Sequence, residues 1–217
     1  APVQKGEPRP LTEQQATVLL AMPDRRTTRG VRDAAMLQLL VDAGVRSEEL
    51  VKLTISSIEE TRRHAIAMRS AIATSTSWSL RIKGKRGKER LVPLTAAATT
   101  ALRFWMDRRP VSISDALFLS IPRHGGQSPA ALSTTAVWKM VKKYARAAGL
   151  PDDIAPHRLR HTFGTRHAEA DARLDVLQNL LGHSDPRTTM IYARRRADAA
   201  AEAIAAVEAS QLPANRL

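Results

Sequence analysis

Residues 156–194 read PHRLRHTFGTRHAEADARLDVLQNLLGHSDPRTTMIYAR. The pattern predicts three helical segments, His157–Ala170, Leu174–Leu181 and Pro186–Ala193, that complete a helical core. His157 and Arg160 stand three apart, so a helix places them on one face. His183 follows 23 residues after Arg160, inside LLGH, and Tyr192 comes nine residues later. A basic pair, a second imidazole and a lone downstream phenol are the side chains that can hold an anion and attack it.

Composition sets the context for that stretch. At 217 residues, with 43% hydrophobic and 25% charged residues, the chain is an ordinary globular one able to bury a sizeable core. The 34 Lys and Arg against 21 Asp and Glu leave a net charge of +13, which points to a polyanionic partner, nucleic acid before an anionic membrane surface. No apolar run reaches the length that crosses a bilayer, and APVQKGEPRP lacks the core of a signal peptide. With no cysteine there is neither a disulfide framework nor a thiolate metal site, and a reducing cytoplasmic setting fits.

Outward from 156–194, the chain alternates helices with one β segment. Residues 1–10 hold three prolines and read as a linker. Thr12 with Gln15 forms a capping box ahead of a short helix that stops at Pro23. A second helix runs from about Thr28 to Ala43, with Gly44 as its stop. Ser47 caps a short helix, EELVKL, which puts Arg46 at a helix entrance suited to an anion. HAIAM, WSLRI and ERLVPL then read as three short strands, the last two joined by KGKRG. Thr95 opens a helix through Arg109, and Ser133 caps another to Gly149. In the latter, Val137, Met140, Val141 and Tyr144 line one side, and Lys139, Lys142, Lys143 and Arg146 the other. Residues 196–217 form an alanine-rich tail helix too weak to stand alone. It needs a groove on its own domain or on a neighbouring protomer.

A phosphodiester resists attack because its charge repels nucleophiles and its leaving alkoxide is poor. Catalysis needs charge neutralisation, an in-line nucleophile and an acid for the leaving oxygen. Arginine suits the first task, since its fork is always charged and bonds two oxygens at once. Tyrosine suits the second, because its ester stores the broken bond for resealing. Lysine suits the third when neighbouring positive charge lowers its pKa.

With those parts in view, the chain resembles the catalytic domain of the tyrosine recombinases, the phage integrase family, over roughly residues 11–195. AGVRSEEL is similar to the family's first arginine motif and supplies Arg46, with Glu49 in the usual acidic position. KGKRGKERLVPL resembles its lysine-bearing β-hairpin. Counting back from VPL makes Lys85 the family lysine, with Lys83 and Lys88 two and three residues away as the alternatives. HRLRHTFGT supplies His157 and Arg160, and LLGHSDPRTTMIYAR supplies His183 and the nucleophile Tyr192.

The resemblance implies an α+β, mainly helical fold with a small three-stranded antiparallel sheet carrying the lysine hairpin. It implies that Tyr192 attacks the scissile phosphate to give a 3′-phosphotyrosyl link and a free 5′-hydroxyl. Arg46 and Arg160 clamp the phosphate, and His157 and His183 donate hydrogen bonds to it, with His157 accepting the tyrosine proton. Lys85 protonates the leaving oxygen and Glu49 supports the shell. No metal, ATP or other cofactor is expected. The 39 residues from Arg46 to Lys85 exceed the spacing in compact members, the excess falling in Glu59–Ser77.

The partner expected is double-stranded DNA, held by a homotetramer on paired sites, in the cytoplasm of a bacterium or phage host and with no membrane role. Residues 1–10 then read as the remnant linker of an N-terminal DNA-clamping domain, without which binding is expected to be weak. Phosphate contacts are expected from two basic clusters. One is the hairpin Arg81–Arg90, with Lys83, Arg86, Lys88 and Arg90 beside Lys85. The other is Lys139, Lys142, Lys143 and Arg146, and Arg158, with Lys142 or Arg146, is within reach of base edges. His157 and His161 stand four apart, but HRLRH lacks the glutamate of a zinc-protease helix and sets two arginines where they would repel a cation. His161 and His167 read as structural or DNA-facing. Two other functions use the same features: DNA relaxation by type IB topoisomerase chemistry, and a non-catalytic DNA-binding regulator. The full set of candidate catalytic residues and the wording of HRLRHTFGT and LLGH favour a recombinase, as found on mobile genetic elements.

Overall fold

A computed structural model describes residues 9–66, 72–84, 87–121, 130–182 and 189–193, with backbone alone at 61–66 and 72–76. The chain divides into two compact units, residues 1–163 and 164–217. The first holds helices α1 (Glu13–Ala21), α2 (Thr28–Asp42) and α3 (Ser47–Lys52), and strands β1 (Ile58–Ile66), β2 (Ile72–Lys83) and β3 (Glu89–Pro93). Helices α4 (Ala96–Arg108) and α5 (Thr134–Ala147) follow, and α6 (Pro156–Glu169) begins in the first unit and ends in the second. Helix α7 (Leu174–Leu181) and the helical residues 189–193 belong to the second. The α+β, mainly helical class with one small antiparallel sheet is the one expected.

Helix α2 is the spine of the first unit. Every residue from Gly30 to Val41 is buried, which is why its apolar side chains occur all round rather than on one stripe. It packs against α1 and α4. Its polar residues are satisfied internally. Asp33 accepts from Arg32, at 2.6 Å, and from the Tyr144 hydroxyl on α5, at 2.9 Å, while Arg32 also donates to the Leu119 carbonyl. The helix ends as expected at Gly44, whose φ of +59° is the left-handed value that favours glycine. That glycine does a second job. A Cβ there would sit 2.5 Å from the Phe163 ring, so its bareness lets α6 dock against the end of α2.

The sheet runs in the order β1-β2-β3, all antiparallel. Leu80 and Ile82 of β2 and Val92 of β3 alternate into the core. The first strand begins six residues earlier than the HAIAM reading, at Ile58. Its register with β2 continues from Ile58↔Leu80 to Ile66↔Ile72, whereas β3 covers only Ser79–Lys83 of β2. The long spacing after Arg46 is therefore taken up by continuous strand pairing, a two-stranded ribbon beyond the three-stranded sheet. The charged run EETRR concealed the strand from a reading based on apolar runs.

Candidate active site

The first arginine motif builds its own geometry. Arg46, not Ser47, is the N-cap of α3: its backbone is extended, and its N–H donates to Glu49 Oε2 at 2.8 Å. A carboxylate at this third helical position satisfies an otherwise orphaned N–H and sits favourably in the field of the helix start. The Arg46 guanidinium turns onto the same carboxylate, with Nη1 2.9 Å from Oε1, and its side chain remains 42% exposed. The anion-binding helix entrance expected at Arg46 is thus filled by Glu49.

Two further guanidiniums reach Glu49. Arg90, on β3, donates through Nη1 to Oε1 at 2.9 Å and through Nη2 to Oε2 at 2.8 Å, a fork-to-fork pair. Arg160, on α6, has Nη1 3.8 Å from Oε2, and that nitrogen donates to the Gly44 carbonyl at 2.6 Å. Glu49 is buried, as is Arg160. Burial alone would push the Glu49 carboxyl up. The Arg90 hydrogen bonds, the Arg46 N–H and the charges of Arg90 and Arg160 outweigh it and hold the carboxyl below the ordinary carboxylate range. Three arginines from three distant parts of the sequence therefore face one ionised carboxylate. A phosphate is the kind of ligand such an excess of guanidinium charge can hold.

Of the expected site residues, Arg46, Glu49 and Arg160 come together here. His157 is exposed, on the first turn of α6 and one turn before Arg160. Lys85, Arg86 and His183 lie outside the described residues, as do residues 1–8 and the tail from 194. Lys83 is 80% exposed, 3.9 Å from Glu89, and Lys88 is exposed. Lys139, Lys143 and Arg146 are exposed on α5. Lys142 is half-buried, with its ammonium on the Asp152 carbonyl and 5.5 Å from the centre of the Trp138 ring. Two cations expected to face DNA point inward instead. Arg158 is buried and donates to the Arg9 carbonyl and to Asp153, and the side chain of Arg90 is 11% exposed, against Glu49. Sequence reading took Arg90 for a surface cation because nothing local marks an arginine of a basic hairpin that turns inward. His161 is buried on α6 and His167 half-buried.

The second unit positions the phenol. Tyr192 is 3% exposed, and its ring lies on the bare backbone of Gly164. A Cβ at Gly164 would stand 2.3 Å from both Cζ and Oη of Tyr192, where about 3.5 Å is the closest comfortable approach. The glycine of HTFGT is therefore the seat of the tyrosine, a role with no signal in the sequence beyond glycine inside a helix. We expect Tyr192 to resist nitration by tetranitromethane in the folded, DNA-free chain. In Gly164→Ala the methyl should expel the phenol and raise nitration at Tyr192. Alanine's helix propensity, worth up to about 1 kcal/mol over glycine, offsets only part of the lost burial, so Tm should fall as well. Peptide mass spectrometry reads the result, and unchanged protection in the alanine variant would contradict this seating.

Comparison with known proteins identifies the family. The family model described as "Phage integrase family" matches residues 9–198. The chain is 39% identical over 193 residues to "Tyrosine recombinase XerD" of Xanthomonas campestris pv. campestris, covering 85% of the chain and 54% of that protein. It is 35% identical over 195 residues to "Tyrosine recombinase XerD" of Neisseria meningitidis serogroup A, covering 88% and 60%. The chain thus spans between half and two thirds of the length of these curated relatives. Among solved structures, the XerH site-specific recombinase in a post-cleavage complex with palindromic difH substrate superposes with a TM-score of 0.71 at 25% identity, over 93% of this chain and 54% of that one. XerA recombinase gives 0.66 at 26%, over 85% and 60%. With a match over most of its length and an arginine–glutamate cluster built from the motifs that carry the resemblance, the chain belongs to the phage integrase family.

Proposed function

We propose that this chain is the catalytic part of a site-specific DNA recombinase that cuts and rejoins strands through a 3′-phosphotyrosyl intermediate. The observation that carries the reading is the gathering of Arg46, Arg90 and Arg160 around the single carboxylate of Glu49, supported by the family match and by the XerD relatives. Arg46 and Arg160 neutralise the non-bridging oxygens of the scissile phosphate, and His157 and His183 add hydrogen bonds. The Tyr192 oxygen attacks phosphorus and passes its proton to His157. As the bond from phosphorus to the 5′-oxygen breaks, Lys85 supplies the proton that makes a 5′-hydroxyl. Attack by a 5′-hydroxyl from a partner strand reverses each transfer and frees the tyrosine. Bond energy is kept in the ester, so the cycle needs no ATP and no metal.

The partner in this reading is double-stranded DNA, gripped along its phosphates by Lys139, Lys143 and Arg146 of α5 and by the hairpin cations Lys83, Lys85, Arg86 and Lys88. Exchange between two sites calls for four protomers, two per site, in the bacterial cytoplasm. The tail beyond residue 195 is suited to join them by docking on a neighbour. Among the described residues, no helix is long and apolar enough to cross a membrane.

The test begins without knowledge of the target sequence. A pool of nicked duplexes with randomised flanks is incubated with the protein, and DNA that stays attached after denaturation is recovered and sequenced. A recombinase should enrich an imperfect inverted repeat and leave the DNA joined through Tyr192 by its 3′-phosphate. Adducts with no enriched sequence would favour a relaxing enzyme, and none at all would favour a DNA-binding regulator.

A further inference from the structure

We propose that Arg90 is a positioning residue for strand cleavage: its guanidinium fixes Glu49, and through Glu49 the placement of Arg46, instead of meeting DNA. The inference rests on the recombinase reading for its effect on cleavage, though not for the contact itself. Arg90 has the sequence setting of a DNA-facing cation, two residues past Lys88 in a basic hairpin. Its geometry is that of a brace. The side chain is 11% exposed, and both terminal nitrogens bond Glu49, one to each carboxylate oxygen. Those oxygens are the ones that take the Arg46 guanidinium and the Arg46 N–H.

The arrangement also ties the hairpin to the arginine cluster. Gly84 directly follows β2, its N–H donating to the Lys88 carbonyl at 2.7 Å, and a methyl placed on it would lie 4.0 Å from Arg90 Nη1. The Arg90 guanidinium therefore lies close to Gly84, just past the end of β2. A single group thus links the strand pair that carries the candidate acid to the helix start that carries the phosphate clamp. The groups that face the Glu49 carboxylate are Arg46 from the start of α3, Arg90 from β3 and Arg160 from α6. Arg90 holds both carboxylate oxygens through its guanidinium, at 2.9 and 2.8 Å, as closely as Arg46 does through its Nη1 and its backbone N–H. Without it, burial works against ionisation of Glu49 with less opposition, and a protonated Glu49 accepts fewer hydrogen bonds from Arg46.

The experiment compares wild type, Arg90→Gln, Arg90→Lys, Glu49→Gln and the double variant Arg90→Gln/Glu49→Gln. Adduct formation on the captured duplex is followed against pH. Binding to the same duplex is followed against salt, and the Glu49 carboxyl is titrated by carbon NMR in the DNA-free chain. We expect Arg90→Gln to slow adduct formation on the order of 10- to 100-fold at neutral pH, the range seen when a group that orients a reactive one is lost. The loss should deepen in acid and shrink in base, and Glu49 should titrate at higher pH. DNA affinity and its salt slope should stay unchanged. The double variant should be no slower than Glu49→Gln, because both act on one path. Arg90→Lys, which has one ammonium in place of a fork, should fall between and serves if the glutamine variant does not fold. A weakened affinity with a shallower salt slope would make Arg90 a DNA contact and overturn the proposal. An unmoved Glu49 titration, or additive losses at every pH, would overturn it equally. If wild type forms no adduct, the recombinase reading fails and with it the effect on cleavage, whereas the Glu49 titration still shows whether Arg90 governs Glu49.

Discussion

Tyr192→Phe should bind the captured duplex as wild type does and form no covalent adduct, a loss of at least about a thousandfold in the trapping assay. Phenylalanine keeps the ring that lies on Gly164, so the second unit should retain its packing. The chain has only two tyrosines, so a residual phosphotyrosyl product could come only from Tyr144. Tyr144 is unsuited to that role. Its hydroxyl is buried and donates to Asp33, and burial, the Asp33 charge and that hydrogen bond together push its ionisation far up. An adduct that survives in the phenylalanine variant would therefore assign the nucleophile to some other residue type. Tight binding without cleavage would support the division between phosphate-gripping cations and reacting phenol.

Much of the architecture was legible because it depends on short-range rules. The capping box of Thr12 and Gln15, the caps at Thr95 and Ser133 and the stop at Gly44 all formed where the residue types required. The buried side of α5 is the one its apolar spacing marked. Legibility failed where a residue's role depends on a partner far along the chain. Arg90 and Lys88 look alike in the sequence, yet only the first meets Glu49, 41 positions upstream. Arg158 looks like a base reader and instead holds Arg9 and Asp153. Gly44 was readable as a helix stop but not as the surface that receives Phe163, nor its carbonyl as the acceptor for Arg160. Charge in a sequence reports the sum, and direction comes only from packing.

Arg160 carries the second large effect. Its buried guanidinium donates from Nη1 to the Gly44 carbonyl and lies 3.8 Å from Glu49, so α6 is held to the end of α2 and to the start of α3 by one planar group. Arg160→Lys keeps the charge but replaces the fork with a single ammonium, which cannot brace a carbonyl and present paired donors to a phosphate together. We expect adduct formation to drop on the order of 100- to 1,000-fold, as when a preorganised donor to a reacting centre is removed. DNA affinity should change little, because many phosphate contacts share it.

Arg160→Ala should be slower still and should also cost about 1–3 kcal/mol of stability, since the Gly44 carbonyl loses its donor. Its pH dependence follows from Glu49. A carboxyl held below its ordinary range stabilises the fold above its unfolded-state pKa, and that contribution is lost as pH falls through the folded value. Removing the Arg160 charge moves the folded value up toward the ordinary range. The deficit of Arg160→Ala should then be largest near neutral pH and should narrow in acid, where wild type loses the same contribution. Denaturant melts from neutral to acid pH measure this directly. A lysine variant that cleaves at the wild-type rate would reduce Arg160 to a brace on Gly44 and leave Arg46 as the phosphate clamp.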